Sequence, residues 1–221
     1  MLLSFDIGIK NLAYCKLDKT GKIITWNVVD ILEEPEKCKL CKRKVKVTDN
    51  RDFYCNFHGK GLAVYKPKPI KNYKPEELVE KAITKLDSLK DDFNGAESVV
   101  LELQMRINPK MKLLSDAIFT WFIIMKKNYP GMKSVSFIAA KNKLNLYNGP
   151  PIQCKLKSQY TRSKFLGKKH CEYFLSKNGN EYSKNVYSKS KKKDDLADCY
   201  LQGLFCLSKH SKDFLKLILA S

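Results

Sequence analysis

The sequence predicts an α/β protein: a mixed sheet with helices on both faces, interrupted early by a small cysteine- and histidine-bearing insertion. Three observations predict it. Residues 2–30 hold three apolar-alternating runs joined by connections too short for crossovers. From residue 75 onward, helix-period and strand-period segments alternate. Between these parts lies a polar, basic stretch with no apolar pattern of its own.

The elements follow in order. Leu3, Phe5, Ile7 and Ile9 alternate with Ser4, Asp6 and Gly8, giving a first strand. A second runs from Leu12 to Leu17. Asp18-Lys19-Thr20-Gly21 is a turn, and Ile23 to Val29 is a third strand. Residues 37–61 form the insertion, and residues 66–75, with three prolines, an extended linker. The remainder, 1–36 and 62–221, is one domain. Pro75 opens a helix with Glu76, Glu77 and Glu80 near its positive end and the stripe Leu78, Ala82, Leu86, Leu89. Ser98 to Leu103 is a strand. A helix from Met111 to Lys127 is apolar beyond one stripe. Ser134 to Ala139 is a strand, Lys141 to Gln159 a basic loop, and Arg162 to Ser176 a helix. Asn178 to Lys193 is polar and expected to be mobile. The last helix runs from Asp194 to Leu219.

Charge narrows the function. The 221 residues carry 42 Lys and Arg against 23 Asp and Glu, a net charge of +19. The basic residues are spread along the whole chain. A lysine-rich genome alone should raise the acids too, so a polyanionic partner is favoured, nucleic acid before membrane. No apolar run reaches the 18 residues or so of a membrane span. The N-terminus has an acidic residue at position 6 and no basic n-region, so it does not read as a signal peptide, which predicts a protein that stays inside the cell. Cys15, Cys154, Cys171, Cys199 and Cys206 are scattered through apolar segments and read as small buried hydrophobes, not a disulfide framework.

Two constellations carry chemistry. Cys38-x2-Cys41 and Cys55-x2-His58, thirteen residues apart, are two close pairs of soft ligands. That is what tetrahedral structural zinc needs, and four protein ligands leave no open position for catalysis. The second is a set of acids in unfavourable places. Asp6 interrupts one apolar strand and Glu102 sits between Leu101 and Leu103 on another; burying either is costly without a cation. Asp194, Asp195 and Asp198 open the last helix, with Asp195 and Asp198 on one face. Helix capping would explain the last set alone, and a core partner would explain Asp6 alone. Together, in so basic a chain, they suggest hard oxygen ligands for two magnesium ions and phosphodiester hydrolysis.

Phe5-Asp6-Ile7-Gly8-Ile9-Lys10-Asn11, Leu101-Glu102-Leu103-Gln104 and Lys193-Asp194-Asp195-Leu196-Ala197-Asp198 resemble the Holliday junction resolvases of the RNase H-like (RuvC-type) superfamily. The poxvirus-type branch is nearest and the fungal mitochondrial resolvases next. The resemblance spans roughly residues 1–30 and 95–205. It implies an RNase H-like five-stranded mixed sheet with flanking helices and the first three strands antiparallel. It implies a magnesium-dependent endonuclease, with manganese as a substitute, that resolves four-way DNA junctions in recombination and repair. The metal ligands it implies are Asp6, Glu102, Asp195 and Asp198, and the catalytic lysine is Lys168, with Lys169 as the neighbouring candidate. Two symmetric cuts imply a homodimer; the broad apolar face of the Met111–Lys127 helix is the candidate interface, unless the core buries it. A cytoplasmic or nuclear replication site, of a large DNA virus, fits the same branch. The zinc insertion departs from the family pattern. It leaves two other readings open: a relative cutting flaps or RNA–DNA hybrids, and a non-catalytic zinc-containing nucleic-acid binder.

Overall fold

The computed structural model describes residues 1–32, 37–104, 107–210 and 214. Strands β1 (Leu2–Ile7), β2 (Asn11–Leu17) and β3 (Ile23–Asp30) form an antiparallel meander. The β2–β3 turn closes on Asp18, whose carboxylate accepts from the backbone N–H of Thr20 and Lys22, with Gly21 at φ 79°. Three two-residue strands follow: β4 (Val47–Thr48), β5 (Phe53–Tyr54) and β6 (Ala63–Val64). They make a separate small sheet in the order β5-β4-β6.

Helix α1 (Pro75–Ser88) starts on proline, and the Glu77 carboxylate accepts from the Lys74 N–H at 2.9 Å. The short α2 (Lys90–Phe93) leads to β7 (Ser98–Glu102). Asn108 caps α3 (Pro109–Asn128) by accepting from the Met111 N–H. Strand β8 (Ser134–Ile138) is followed at once by a 3₁₀ turn, Ala140–Leu144, inside the expected basic loop. Helix α4 (Gln159–Asn178) and helix α5 (Glu181–Lys189) precede α6 (Lys193–His210). The expected continuation of the last helix to Leu219 lies outside the described residues, apart from Phe214.

The large sheet runs β3-β2-β1-β7-β8, with β1, β7 and β8 parallel to one another. It is the mixed five-stranded sheet expected, and each face carries a core. On one face Leu3, Phe5, Ile7, Leu12 and Tyr14 pack against Leu86, Phe93, Leu114, Ile118 and Phe122 of α1 to α3. On the other, Ala13, Cys15, Leu17 and Trp26 pack against Phe174 of α4, Tyr187 of α5 and Leu196 to Leu204 of α6. The breadth of α3 is thus largely core burial: Leu114, Ile118, Trp121 and Phe122 are buried, and only Leu113 and Ile124 of its large apolar residues are exposed.

Two expectations need correcting. The stretch Asn178–Lys193 contains an ordered helix, α5, capped by Asn180. Tyr187 is buried there, stacked on Trp26 with ring centroids 5.6 Å apart. The stretch is polar in composition, but one aromatic anchor docks it. Of the five scattered cysteines, Cys154 and Cys206 are only half-buried; Cys15, Cys171 and Cys199 are fully enclosed. Among the described residues no helix is long and apolar enough to cross a membrane.

Candidate active site and metal centre

The parallel strands end at one edge of the sheet, and the acids gather there. Asp6 is one residue from the end of β1, and Glu102 is the last residue of β7. Phe5 and Ile7 face the α1–α3 core, so pleat alternation turns Asp6 to the α6 face. The carboxyl ends of strands flanking a reversal in chain order are where open α/β sheets hold ligands.

Helix α6 lies close over this edge because small residues let it. A Cβ on Gly203 would meet Leu17 Cδ1 at 2.7 Å and Ser4 Cβ at 3.2 Å. One residue earlier, buried Gln202 donates to the Phe5 carbonyl (3.1 Å) and to Ser4 Oγ (3.2 Å). These contacts fix the helix phase. Leu196 and Cys199 face the core, and Asp195 and Asp198 come down beside Asp6 and Glu102. Asp194 turns away to pair with Lys164 of α4 at 2.7 Å. The motif between β1 and β2 completes the frame. Gly8 donates to the Asn11 carbonyl at 2.8 Å, where a Cβ on residue 8 would lie 2.7 Å from the same oxygen. Asn11, so placed, donates to Asp195 Oδ2 at 3.4 Å.

Sequence reasoning missed Lys143. Its Nζ lies 2.6 Å from Asp198 Oδ2 and 3.3 Å from Glu102 Oε2. The three side chains are only 15%, 19% and 14% exposed (Lys143, Asp198, Glu102). The lysine sits in the turn directly after β8, whose end neighbours the end of β7, so topology alone brings it to Glu102. As one of four lysines in the loop from Lys141 to Gln159, it carries no periodic signal that would single it out. Lys168, on α4, is half-buried and makes no ion pair among the described residues; Lys169 is exposed and pairs with Glu172. Gly167 beside it backs onto the acids: a Cβ there would sit 3.4 Å from Asp198 Oδ1.

The electrostatics describe a cluster short of positive charge. Burial, then the charges of Glu102 and Asp198, hold the Asp6 carboxyl well above its ordinary range, with Lys143 only partly offsetting them. Burial likewise raises Asp198 and Asp195; Lys143 opposes it at the first, and Asp194 reinforces it at the second. At Lys143 burial works against the charge, yet Asp198 and Glu102 outweigh it and keep the ammonium protonated. Asp194 moves the other way: despite burial, the Lys164 contact holds it low. Lys143 thus stands where a cation is required. Lys143→Met is expected to lower stability by about 3 kcal/mol at pH 7 without divalent cations, the cost of stranding a buried partner. Urea unfolding measures it; unchanged stability would mean that the ion pairs carry no net weight.

The insertion brings Cys38, Cys41, Cys55 and His58 together, with all four ligand atoms within 4.8 Å of one another. Cys38 Sγ is 3.4 Å from His58 Nδ1, and Cys41 Sγ is 3.8 Å from Cys55 Sγ. A tetrahedron with metal–sulfur bonds of ~2.3 Å has edges of about 3.8 Å, so the cluster fits a metal ion. Against the effect of burial, hydrogen bonds from Cys55, His58 and Leu40 bring the Cys38 thiol down to about 6, which favours the thiolate a metal binds. All eight cysteines are free of disulfides.

No protein-family model matches the chain. It is 29% identical over 238 residues to an uncharacterized protein of Acanthamoeba polyphaga mimivirus, spanning 90% of this chain and 57% of that protein's length. Two solved structures share its fold. One is the yeast mitochondrial Holliday junction resolvase, with a TM-score of 0.53, 15% identity, and 97% of this chain and 84% of that one covered. The other is the fowlpox virus resolvase, solved with its Holliday junction substrate, at a TM-score of 0.51, 16% identity, and 95% and 97% covered. The fold implied by the motif resemblance is therefore the fold found.

Proposed function

We propose that this chain is a structure-specific endonuclease that resolves four-way DNA junctions, working as a homodimer with magnesium. One observation carries the reading: four carboxylates from three separate segments meet at the strand ends of a resolvase fold, with a lysine already serving as counter-cation. A structural role would not require so many half-buried like charges in one place.

Asp6, Glu102, Asp195 and Asp198 supply hard oxygen donors, the set that two magnesium ions take. When bound, magnesium supplies Lewis acidity toward the phosphodiester and lowers the pKa of the attacking water. Asn11 holds the Asp195 carboxylate in one orientation. Lys143 offsets part of the negative charge of Glu102 and Asp198 and leaves the rest for the magnesium ions to balance. Lys168, next to the glycine that abuts Asp198, is proposed to meet the charge that builds on the cleaved phosphate. The general lysine surface supplies sequence-independent DNA affinity. Two opposed cuts need two such sites, hence the dimer; exposed Leu113 and Ile124 on α3 remain its candidate seam. The mimivirus relative favours a large DNA virus as the source.

The test uses one sequence built as four-way junction, linear duplex, flap and RNA–DNA hybrid, each incubated with protein and magnesium. Junction cleavage ahead of the others supports the reading. Faster cleavage of flap or hybrid moves it to a related nuclease, and binding with no cleavage of any substrate makes it a non-catalytic binder.

Zinc is the metal proposed for the insertion, since Cys₃His is a closed tetrahedral set. One zinc per chain is expected by elemental analysis of protein purified without chelators. Cys55→Ser should lose it and open residues 37–65 to limited proteolysis, because so small a segment has little core without its metal. A zinc content near zero in the wild type would remove the site.

A further inference from the structure

The zinc cluster shapes a tip as well as a fold. Each metal-binding turn carries a large apolar residue at the same place, two after its first cysteine: Leu40 after Cys38, and Phe57 after Cys55. Both face solvent, Leu40 at 64% and Phe57 at 72% exposure. The Arg43 guanidinium lies 5.3 Å from the Phe57 ring centroid. Neither residue is needed inside: the insertion's own packing uses Val45 and Val47, with Phe53 edge-on to Tyr65. The apolar tip is framed by charge. Residues 37–65 hold eight Lys and Arg, all exposed, against Asp49 and Asp52. Those two acids are already engaged, Asp52 by Lys39 and Asp49 by the N–H groups of Arg51 and Asp52.

The insertion's root is at the catalytic end of the sheet. Strand β3 runs in the same direction as β1, so Asp30 ends beside Asn11, at the edge where Asp6 lies. Ile31 donates to the Lys10 carbonyl at 2.7 Å. Leu32, leaving the sheet, packs with Tyr73 on the returning chain and with Leu78 and Ile9. Both stalks are thus clamped next to the motif loop that orients Asp195.

We infer that the zinc-bearing insertion grips branched DNA, its lysines on phosphates and Leu40 and Phe57 against bases left unstacked at the branch point. An exposed aromatic beside an arginine is the surface that unpaired bases stack on, and every base offers such a face regardless of sequence. A fully paired linear duplex offers no free base face, so the tip should discriminate by structure. The inference rests on the junction reading above.

The test is the double variant Leu40→Ala/Phe57→Ala in the full chain, with zinc content confirmed unchanged. Junctions with 2-aminopurine at the branch report the stacking, and binding is measured to junction and linear duplex in calcium-containing buffer. The variant is expected to bind the junction at least about tenfold more weakly, to bind duplex within about twofold of wild type, and to lose the wild-type change in 2-aminopurine fluorescence. Unchanged junction affinity and fluorescence would overturn the inference and leave the tip for a protein partner. An equal loss on junction and duplex would overturn it too, as simple backbone binding. A 2-aminopurine single strand separates the two readings. If wild type does not prefer the junction, the junction reading fails; if it still alters the single strand's fluorescence through Leu40 and Phe57, the stacking surface stands.

Discussion

Asp6→Asn is expected to reduce junction cleavage by at least about a thousandfold, ~4 kcal/mol of barrier, while junction binding stays within a few-fold of wild type. The carboxylate sits centrally among Glu102, Asp195 and Asp198, whereas binding rests on many dispersed lysines. The same substitution should raise the stability of the metal-free protein at pH 7. Asp6, Asp195 and Asp198 all have raised carboxyls. A group raised on folding contributes stability that is fully present below its unfolded value, about 4 for aspartate, and is lost as pH rises through the folded value. The metal-free protein therefore loses stability from about pH 4 upward as these carboxyls ionise, and magnesium should restore it, more at pH 7 than at pH 5. Glu97, held down to about 2 by the N-terminal ammonium and Lys133, acts below that window and does not interfere. Thermal melts at both pH values, with and without magnesium, check it. A magnesium shift that survives in Asp6→Asn would mean that the ion binds elsewhere.

The second large effect separates neighbouring acids on α6. Asp195→Asn and Asp198→Asn should each slow single-turnover cleavage by at least about a hundredfold, ~2.7 kcal/mol. Asp194→Asn should cost far less, because Asp194 is committed to Lys164; its loss should appear as weakened docking of α4 on α6. An inactive Asp194→Asn beside an active Asp195→Asn would shift the ligand assignment by one residue.

Much of this site was legible in the sequence because it obeys periodicity. Strand alternation set Asp6 on the face opposite Phe5 and Ile7, and helix phase put Asp195 and Asp198 on one side with Leu196 and Cys199 at the core. That Cys38, Cys41, Cys55 and His58 belong together, as the structure has them, was legible from spacing alone. What escaped was tertiary. Lys143 is one of several lysines in a loop, and it matters only because β8 runs parallel beside β7. Helix α5 reads as a polar linker until Tyr187 meets Trp26, two residues 161 positions apart in the chain. Strands β4 to β6, two residues each, are too short for any alternation to register. Gly167 was invisible as a packing residue, since a glycine inside a helix pattern looks only like a weakness until its neighbour is known.

The most direct measurement is nick mapping on a four-way junction labelled on each strand in turn, under single-turnover conditions with magnesium. Paired nicks are expected at matching positions on two opposing strands near the branch point, with products that a ligase can reseal and no nicks with EDTA or with Asp6→Asn. Cuts scattered along the arms, cuts on one strand only, or cleavage that persists in Asp6→Asn would contradict junction resolution at this site.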